Sequence, residues 1–270
     1  MRTRRYFINL ISSLACFVCT ATSALPRKGV GKMKKFLQKA SSRGKANYGW
    51  LKSAHSFSFA HYYNPEQMGF GLLRVLNDDF VAPGHGFDTH PHRDMEIVSI
   101  PLAGSLHHQD SEGHEQVIKH GEVQLMSAGT GVFHSEYNAS DKEAVNFLQI
   151  WVMPDKLGIV PRYDQKKFSK LGRHNKLQTI VSPLDTDDEG VKINQNAYFS
   201  LLDLDVSKSL TYQKKVARHG VYIFLINGQL DVSGSLLNTR DAIGLLDMDQ
   251  IELKAVDDAQ VLIIEIPFSK

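Results

Sequence analysis

The sequence predicts an all-β protein built as two tandem barrels, and three observations carry that prediction. Short apolar runs cut by Gly, Asn, Asp and Pro follow one another from Trp50 onward, the pattern of short strands in a sandwich or barrel. No long stretch repeats its apolar residues every 3.6 positions, so helices should be few. The strand series breaks off in a polar segment near the middle and then resumes, as if one architecture were used twice. With 270 residues, 42% hydrophobic and 22% charged, the composition is that of an ordinary globular protein, able to bury a core without disulfide or metal staples.

Taken in order, the chain begins with a basic cluster, Arg2, Arg4 and Arg5, then a small-residue apolar run from Tyr6 to Ala24. A basic start, an apolar centre and a small-residue end describe an export signal over residues 1–24. Thr3-Arg4-Arg5-Tyr6-Phe7-Ile8 resembles the twin-arginine signal. Asn9, Ser12, Ser13, Thr20, Thr22 and Ser23 make the run too polar for a permanent membrane span. A periplasmic location is expected if the signal operates, and a cytoplasmic one if translation starts at Met33. Both cysteines, Cys16 and Cys19, lie in this segment, so a chain cut after Ala24 has no disulfide or thiolate ligand. The cut also removes three arginines and turns the formal charge from +2 to −1. No electrostatic case for nucleic-acid binding remains. A monomer is expected.

Residues 25–49 read as a linker with a short strand near Phe36–Leu37. The first barrel is expected over 36–160. Its strands are the runs 71–76, closed by Asn77-Asp78-Asp79, then 96–102, 117–118, 123–126 and 147–153. Residues 154–190 are polar and read as a connection with a few strands. The second barrel is expected over 190–270, with strands at 197–206, 220–227, 229–232, 242–246, 251–256 and 260–266. Asn227-Gly228 is a tight-turn signal for a hairpin.

The chemistry concentrates between Gly84 and Glu136. His90-Pro91-His92 and His134-Ser135-Glu136 each place two metal donors at i and i+2, on one face of a strand. Two such strands in a small barrel can aim three imidazoles and a carboxylate at one point. His90, His92, His134 and Glu136 together suit a first-row transition metal, with positions left for water, O2 or a substrate. His107, His108, His114 and His120 lie in a polar, turn-rich stretch and are expected to be surface or hydrogen-bonded residues rather than ligands. His55 and His61 are candidates for the pocket, and Phe57, Phe59 and Phe133 for its walls. In the second half only His219 occurs, with no His or Glu at i+2. It is read as structural, and no metal is expected there.

Gly84-x5-His90-x-His92-x3-Glu96 and Gly121-x5-Ser127-x-Gly129-x4-His134-x-Glu136 resemble the two motifs of cupin barrels. The stretches 89–96 and 126–136 are closely similar to the pirin family. So are Asn47-Tyr48-Gly49-Trp50, residues 55–60 and Gln149-Ile150-Trp151-Val152-Met153-Pro154. The resemblance spans residues 36–270 and is strongest over 47–164. It implies two cupin (double-stranded β-helix, jelly-roll) barrels and a single metal in the first. His90, His92, His134 and Glu136 are the ligands it implies, and iron(II) the ion. The same donors also accept nickel, manganese, copper or zinc. Glu96 occupies a ligand position of other cupins, but here it is read as a supporting residue of its strand. The activity implied is quercetin 2,3-dioxygenase-type opening of a flavonol by O2, on a small aromatic or enol substrate, with Glu136 also accepting the substrate proton. The alternative is a non-enzymatic, iron-binding pirin that senses redox state or regulates a partner protein.

Overall fold

The computed structural model describes residues 34–268. The export segment expected at 1–24 and the alternative start at Met33 lie outside the described residues. Among the described residues the only helical pieces are two 3-10 turns, Ala40–Ser42 and Lys170–Gly172. None of their helices is long and apolar enough to cross a membrane.

The described residues open with β1 (Lys34–Gln38), β2 (Gly44–Asn47), β3 (Leu51–His55) and β4 (Leu73–Val81). The motif strands follow: β5 (Gly86–His92), β6 (Glu96–Ala103), β7 (Ser105–Asp110), β8 (Glu115–Lys119), β9 (Glu122–Ser127) and β10 (Val132–Asn138). β11 (Val145–Val152) and β12 (Arg162–Lys167) end the first half. The second half contains β13 (Gln178–Pro183), β14 (Val191–Ile193), β15 (Tyr198–Leu204), β16 (Ser209–Gln213) and β17 (His219–Asn227). It continues through β18 (Gln229–Val232), β19 (Ser235–Asn238), β20 (Ala242–Leu246), β21 (Gln250–Ala255) and β22 (Ala259–Pro267).

Each half pairs a seven-stranded sheet with a four-stranded one. The first uses β12-β9-β6-β11-β4-β3-β2 and β5-β10-β7-β8, and the second β1-β20-β17-β22-β15-β13-β14 and β16-β21-β18-β19. The two orders correspond strand for strand over most of their length, so the fold is two tandem barrels of the cupin type. An edge strand of the second half's large sheet, β1, is supplied from ahead of the first half's own strands. β1 overlaps the start of the 36–160 range expected for the first barrel, yet it pairs with β20, Phe36 opposite Gly244.

The large sheets are buried on both faces, which explains their continuous apolar runs. In β6, Val98 and Ile100 face the other half, where they join Leu125, Leu148 and Ile150 against Tyr222, Phe224, Leu262 and Ile264. Ile97 points the other way, into its own barrel, beside Met126 and Val132. Polar ties cross the same interface. Asp78 accepts from Asn146 Nδ2 at 2.8 Å and lies 3.1 Å from Arg240 Nε. Glu96 accepts from the Ser127 hydroxyl at 2.7 Å and from the backbone N–H of Asn194 at 3.0 Å.

Two turn expectations are corrected. Asn77-Asp78-Asp79 does not end a strand, because β4 runs through it to Val81 with all three side chains buried. Asp78 accepts from Asn146 on β11 and Asp79 from the Ser53 hydroxyl on β3, whereas Asn77 Oδ1 is buried without a hydrogen-bond partner. Asn227-Gly228 makes no hairpin either, since β17 pairs with β20 and β22 while β18 pairs with β19 and β21. The chain changes sheet at Gly228, whose φ is +93° and whose missing Cβ leaves room for the Asp258 carbonyl.

Candidate metal centre

β10 alternates strictly. Val132, His134, Glu136 and Asn138 are buried, and the residues between them are more exposed. This is the period of two expected of a strand with one face in a barrel. β5 lies beside it, with His90 directly opposite His134 and His92 opposite Val132. The register then slips, so that Glu136 faces Phe87. Asp88 and Thr89 on β5 stand against Ser135 alone, which is a bulge, a device that re-aims side chains next to sites. Because of it, Phe87 and His90, three residues apart, both line the cavity.

The three imidazoles converge. Ring centroids lie 4.5 Å apart for His90–His134 and 4.9 Å apart for both His90–His92 and His92–His134. Their donor nitrogens lie within 4.8 Å of one another. The carboxylate of Glu136 lies within the same 4.8 Å of donor atoms on His134 and on a further residue, His108. The four residues singled out in the sequence thus meet at His134, the three imidazoles on one side and Glu136 on the other.

A polar belt crosses the large sheet beneath them. Its members are directly opposite one another from strand to strand: His55 and Asn77, Asn77 and Gln149, Gln149 and Ser99, Ser99 and Gln124. All five are buried. Gln149 Nε2 donates to Glu136 at 2.6 Å and the Ser99 hydroxyl donates to it at 3.1 Å, which fixes the carboxylate. Beside the belt the Ser53 hydroxyl donates to Asp79.

A cavity of about 400 Å³ opens onto this array, within the usual range for small-molecule sites. Tyr48, Trp50, Phe59, Phe87 and Trp151 give it aromatic walls, and His90, His92, Glu136, His55, Asn77 and Asp79 also line it. Trp151 packs edge-on against His92, centroids 4.9 Å apart.

The electrostatics suit a cation. Burial and mutual repulsion push His92 and His134 down to about 3, so both are neutral, lone-pair donors at ordinary pH. His134 Nε2 is buried without a hydrogen-bond partner, an arrangement that costs stability unless something binds there. The Nδ1–H of His90 is directed at the Asp88 carbonyl, 2.7 Å away, which leaves Nε2 free. Burial pushes the Glu136 carboxyl up, against the hydrogen bonds and imidazoles around it. Burial likewise raises Asp79 to about 7. Three converging imidazoles with an adjacent carboxylate fit a first-row transition metal.

A sequence profile of the Pirin family matches residues 37–152, and one of the quercetinase C-terminal cupin domain matches 179–266. The chain is 42% identical over 232 residues to a protein of Escherichia coli strain K12 named quercetin 2,3-dioxygenase, covering 86% of this chain and 98% of that one. The chain belongs to the pirin family. A pirin-like protein of Caulobacter vibrioides is 39% identical over 222 residues, 82% of this chain and 95% of that one. A solved Escherichia coli pirin in complex with nickel(II) superposes with a TM-score of 0.82 at 41% identity, over 87% of this chain and 99% of that one.

In this pirin several other residues stand where the sequence did not put them. His108 takes the hydrogen-bonded alternative, paired with Asp110, but it is fully buried beside His134. Its signal was the alternation Leu106, His108, Asp110, with inward spacing on β7. His107, His114 and His120 keep more open positions. His55 lines the cavity, whereas His61 is exposed. Of the three phenylalanines only Phe59 is a wall. Phe57 packs in the core between the barrels against Tyr222, and Phe133 is exposed because it alternates outward on β10. Glu96 faces the second half rather than the imidazoles. Ser99 and Gln149 were missed as site residues because each reads as an ordinary polar interruption of a strand, and Asn77 and Asp79 because they read as a turn.

Proposed function

We propose that this pirin is a metal-dependent dioxygenase of the quercetin 2,3-dioxygenase type, and that His90, His92, His134 and Glu136 hold one iron(II) ion. The observation that carries the proposal is the aromatic-walled cavity of about 400 Å³ lined by His90, His92 and the buried Glu136, with His134 converging on the same two imidazoles. The name of the Escherichia coli relative and the nickel(II) complex of the solved pirin support the same class. When bound, a redox metal supplies the electron chemistry with O2 that no side chain of the site offers.

The residues have separable tasks. The aromatic walls stack a planar substrate and exclude water. Gln149 and Ser99 hold Glu136 in one orientation through both of its oxygens. Burial raises the proton affinity of Glu136, which suits it to take the proton of an enolic hydroxyl on a carboxylate oxygen near neutral pH. Glu136 then returns that proton to the product, which restores the carboxylate. Export by the segment at 1–24, and action outside the cytoplasm as a monomer, belong to the same proposal.

The test is aerobic turnover of a flavonol by protein loaded separately with iron, nickel, manganese or copper. Substrate absorbance and carbon monoxide release are followed together. Glu136→Gln should lower turnover by about 10²-fold or more. A loaded wild-type protein that binds flavonol yet consumes no O2 with any of these metals would refute the enzymatic reading and favour the partner-regulating one.

A further inference from the structure

His108 has no task in the proposed chemistry, yet it is fully buried and lies against a residue of the metal cluster. Its Nε2 lies 3.0 Å from Asp110 Oδ2. Its Nδ1 lies 3.5 Å from Nδ1 of His134, a long contact at the limit of hydrogen bonding. Asp110 is itself clamped. It accepts the backbone N–H groups of Glu112 and His114, each at 3.0 Å, and lies 3.0 Å from His114 Nδ1. A carboxylate in that setting only accepts, so the proton between Asp110 and His108 sits on Nε2. With that hydrogen bond made through Nε2, Nδ1 is the acceptor position of the His108 ring. The proton shared across the contact therefore belongs to Nδ1 of His134, and His134 Nε2 is left bare. That Nε2 is the buried atom without a hydrogen-bond partner.

We propose that Asp110 and His108 form a relay that fixes the tautomer of His134, holding Nδ1 protonated so that Nε2 presents its lone pair to the metal. His108 is then a positioning residue acting through His134. Partners of this kind set the ring orientation and donor strength of metal-bound imidazoles. The second half lacks the device. Leu230 and Val232 on β18, opposite Ala255 and Leu253 of β21, hold apolar side chains in its core where β7 has His108 and Asp110. The inference rests on His134 being a metal ligand, and the experiment separates the two claims.

Nickel(II) is titrated calorimetrically into metal-free wild type, His108→Phe and His108→Gln. The Phe variant should bind nickel about 10–100-fold more weakly. The Gln variant should recover most of the loss, because its carboxamide oxygen accepts the same N–H. In parallel, imidazole nitrogen NMR of the metal-free protein should show His134 protonated on Nδ1 in wild type and a mixture of tautomers in His108→Phe. Wild-type His134 protonated on Nε2 overturns the relay, as does unchanged nickel affinity in His108→Phe. A nickel-loaded protein in which His108 itself ligates the ion also overturns it. If His108→Phe does not fold, the wild-type NMR spectrum and the Gln variant still decide. If wild type binds no nickel, the metal reading fails and the tautomer measurement alone judges the relay.

Discussion

Glu96 shows how one buried carboxyl ties the site-bearing barrel to its neighbour at a cost that depends on pH. Burial raises its pKa from 4.5 to about 7, against the hydrogen bonds it accepts from Ser127 and Asn194. The folded protein therefore holds a proton there that the unfolded chain has released. Between about pH 4.5 and 7 stability falls as pH rises, by up to about 3 kcal/mol from this group once the window is passed. Glu96→Gln keeps an oxygen that can accept both hydrogen bonds but never ionises. Its melting temperature should fall less than that of wild type between about pH 4.5 and 7, and parallel curves would remove the argument. At the metal cluster the expectation is simpler. His92→Ala removes one of three converging imidazoles and should weaken metal binding more than about a hundredfold, beyond the usual loss of a supporting partner. Metal analysis after dialysis reads this directly. His90, His92, His134 and Glu136 were legible in the sequence because strand periodicity alone puts i and i+2 on one face. His108 and Asp79 were not, since a polar residue in a turn-rich or charged stretch looks solvated until its cross-strand partners are known.

The strands carry the next level of specification. β4 remains a strand through Asn77-Asp78-Asp79 because its two faces meet different needs. Asp79 turns to the cavity and the Ser53 hydroxyl, while Asp78 turns to Arg240 and Asn146 between the barrels. A sequence window of three polar residues carries no trace of that division. The misread turn at Asn227-Gly228 has a similar origin, because a tight turn between strands of one sheet and a switch between two sheets use the same residue types. Geometry distinguishes them. Gly228 and Gly113 both have positive φ, but a Cβ at Gly228 would meet the Asp258 carbonyl oxygen at 1.9 Å, whereas none of the surroundings of Gly113 comes within 4 Å. Gly113→Ala should cost about the 1–2 kcal/mol of left-handed strain. Gly228→Ala should cost distinctly more, because backbone must move, and equal losses in chemical denaturation would contradict the sheet-switch account. β1 can be tested in the same way. Gln38 accepts the Tyr222 hydroxyl at 2.8 Å and donates to the Ser56 carbonyl at 2.6 Å. Gln38→Ala should cost about 1–3 kcal/mol by leaving both groups buried and unpaired.

The whole molecule uses one topology for two ends. The interior of the second barrel is filled by Leu202, Val221, Ile223, Leu253, Ile263 and their neighbours. In the first, the corresponding space holds imidazoles, the polar belt and the cavity. A barrel with so much polar surface inside gains less from its own packing, and its large sheet gains from the apolar layer shared with the second half. The strands are also exchanged across any simple division. A fragment of residues 34–186 would carry β1 and β13, both strands of the second half's large sheet, and would expose the whole inter-barrel face of its own. Such a face is an aggregation surface, and the stranded β1 and β13 add unpaired edges. Expressed alone, 34–186 should collect in the insoluble fraction although it contains His90, His92, His134 and Glu136. Co-expressed with 187–270, it should purify as one complex, since β1 and β13 rebuild the second sheet and the shared core closes over both. Size-exclusion chromatography of the co-expressed pair, with metal content measured on the same fractions, decides the matter. A soluble, monodisperse and metal-loaded 34–186 would mean that the first barrel stands alone and that the second serves as a surface for something else.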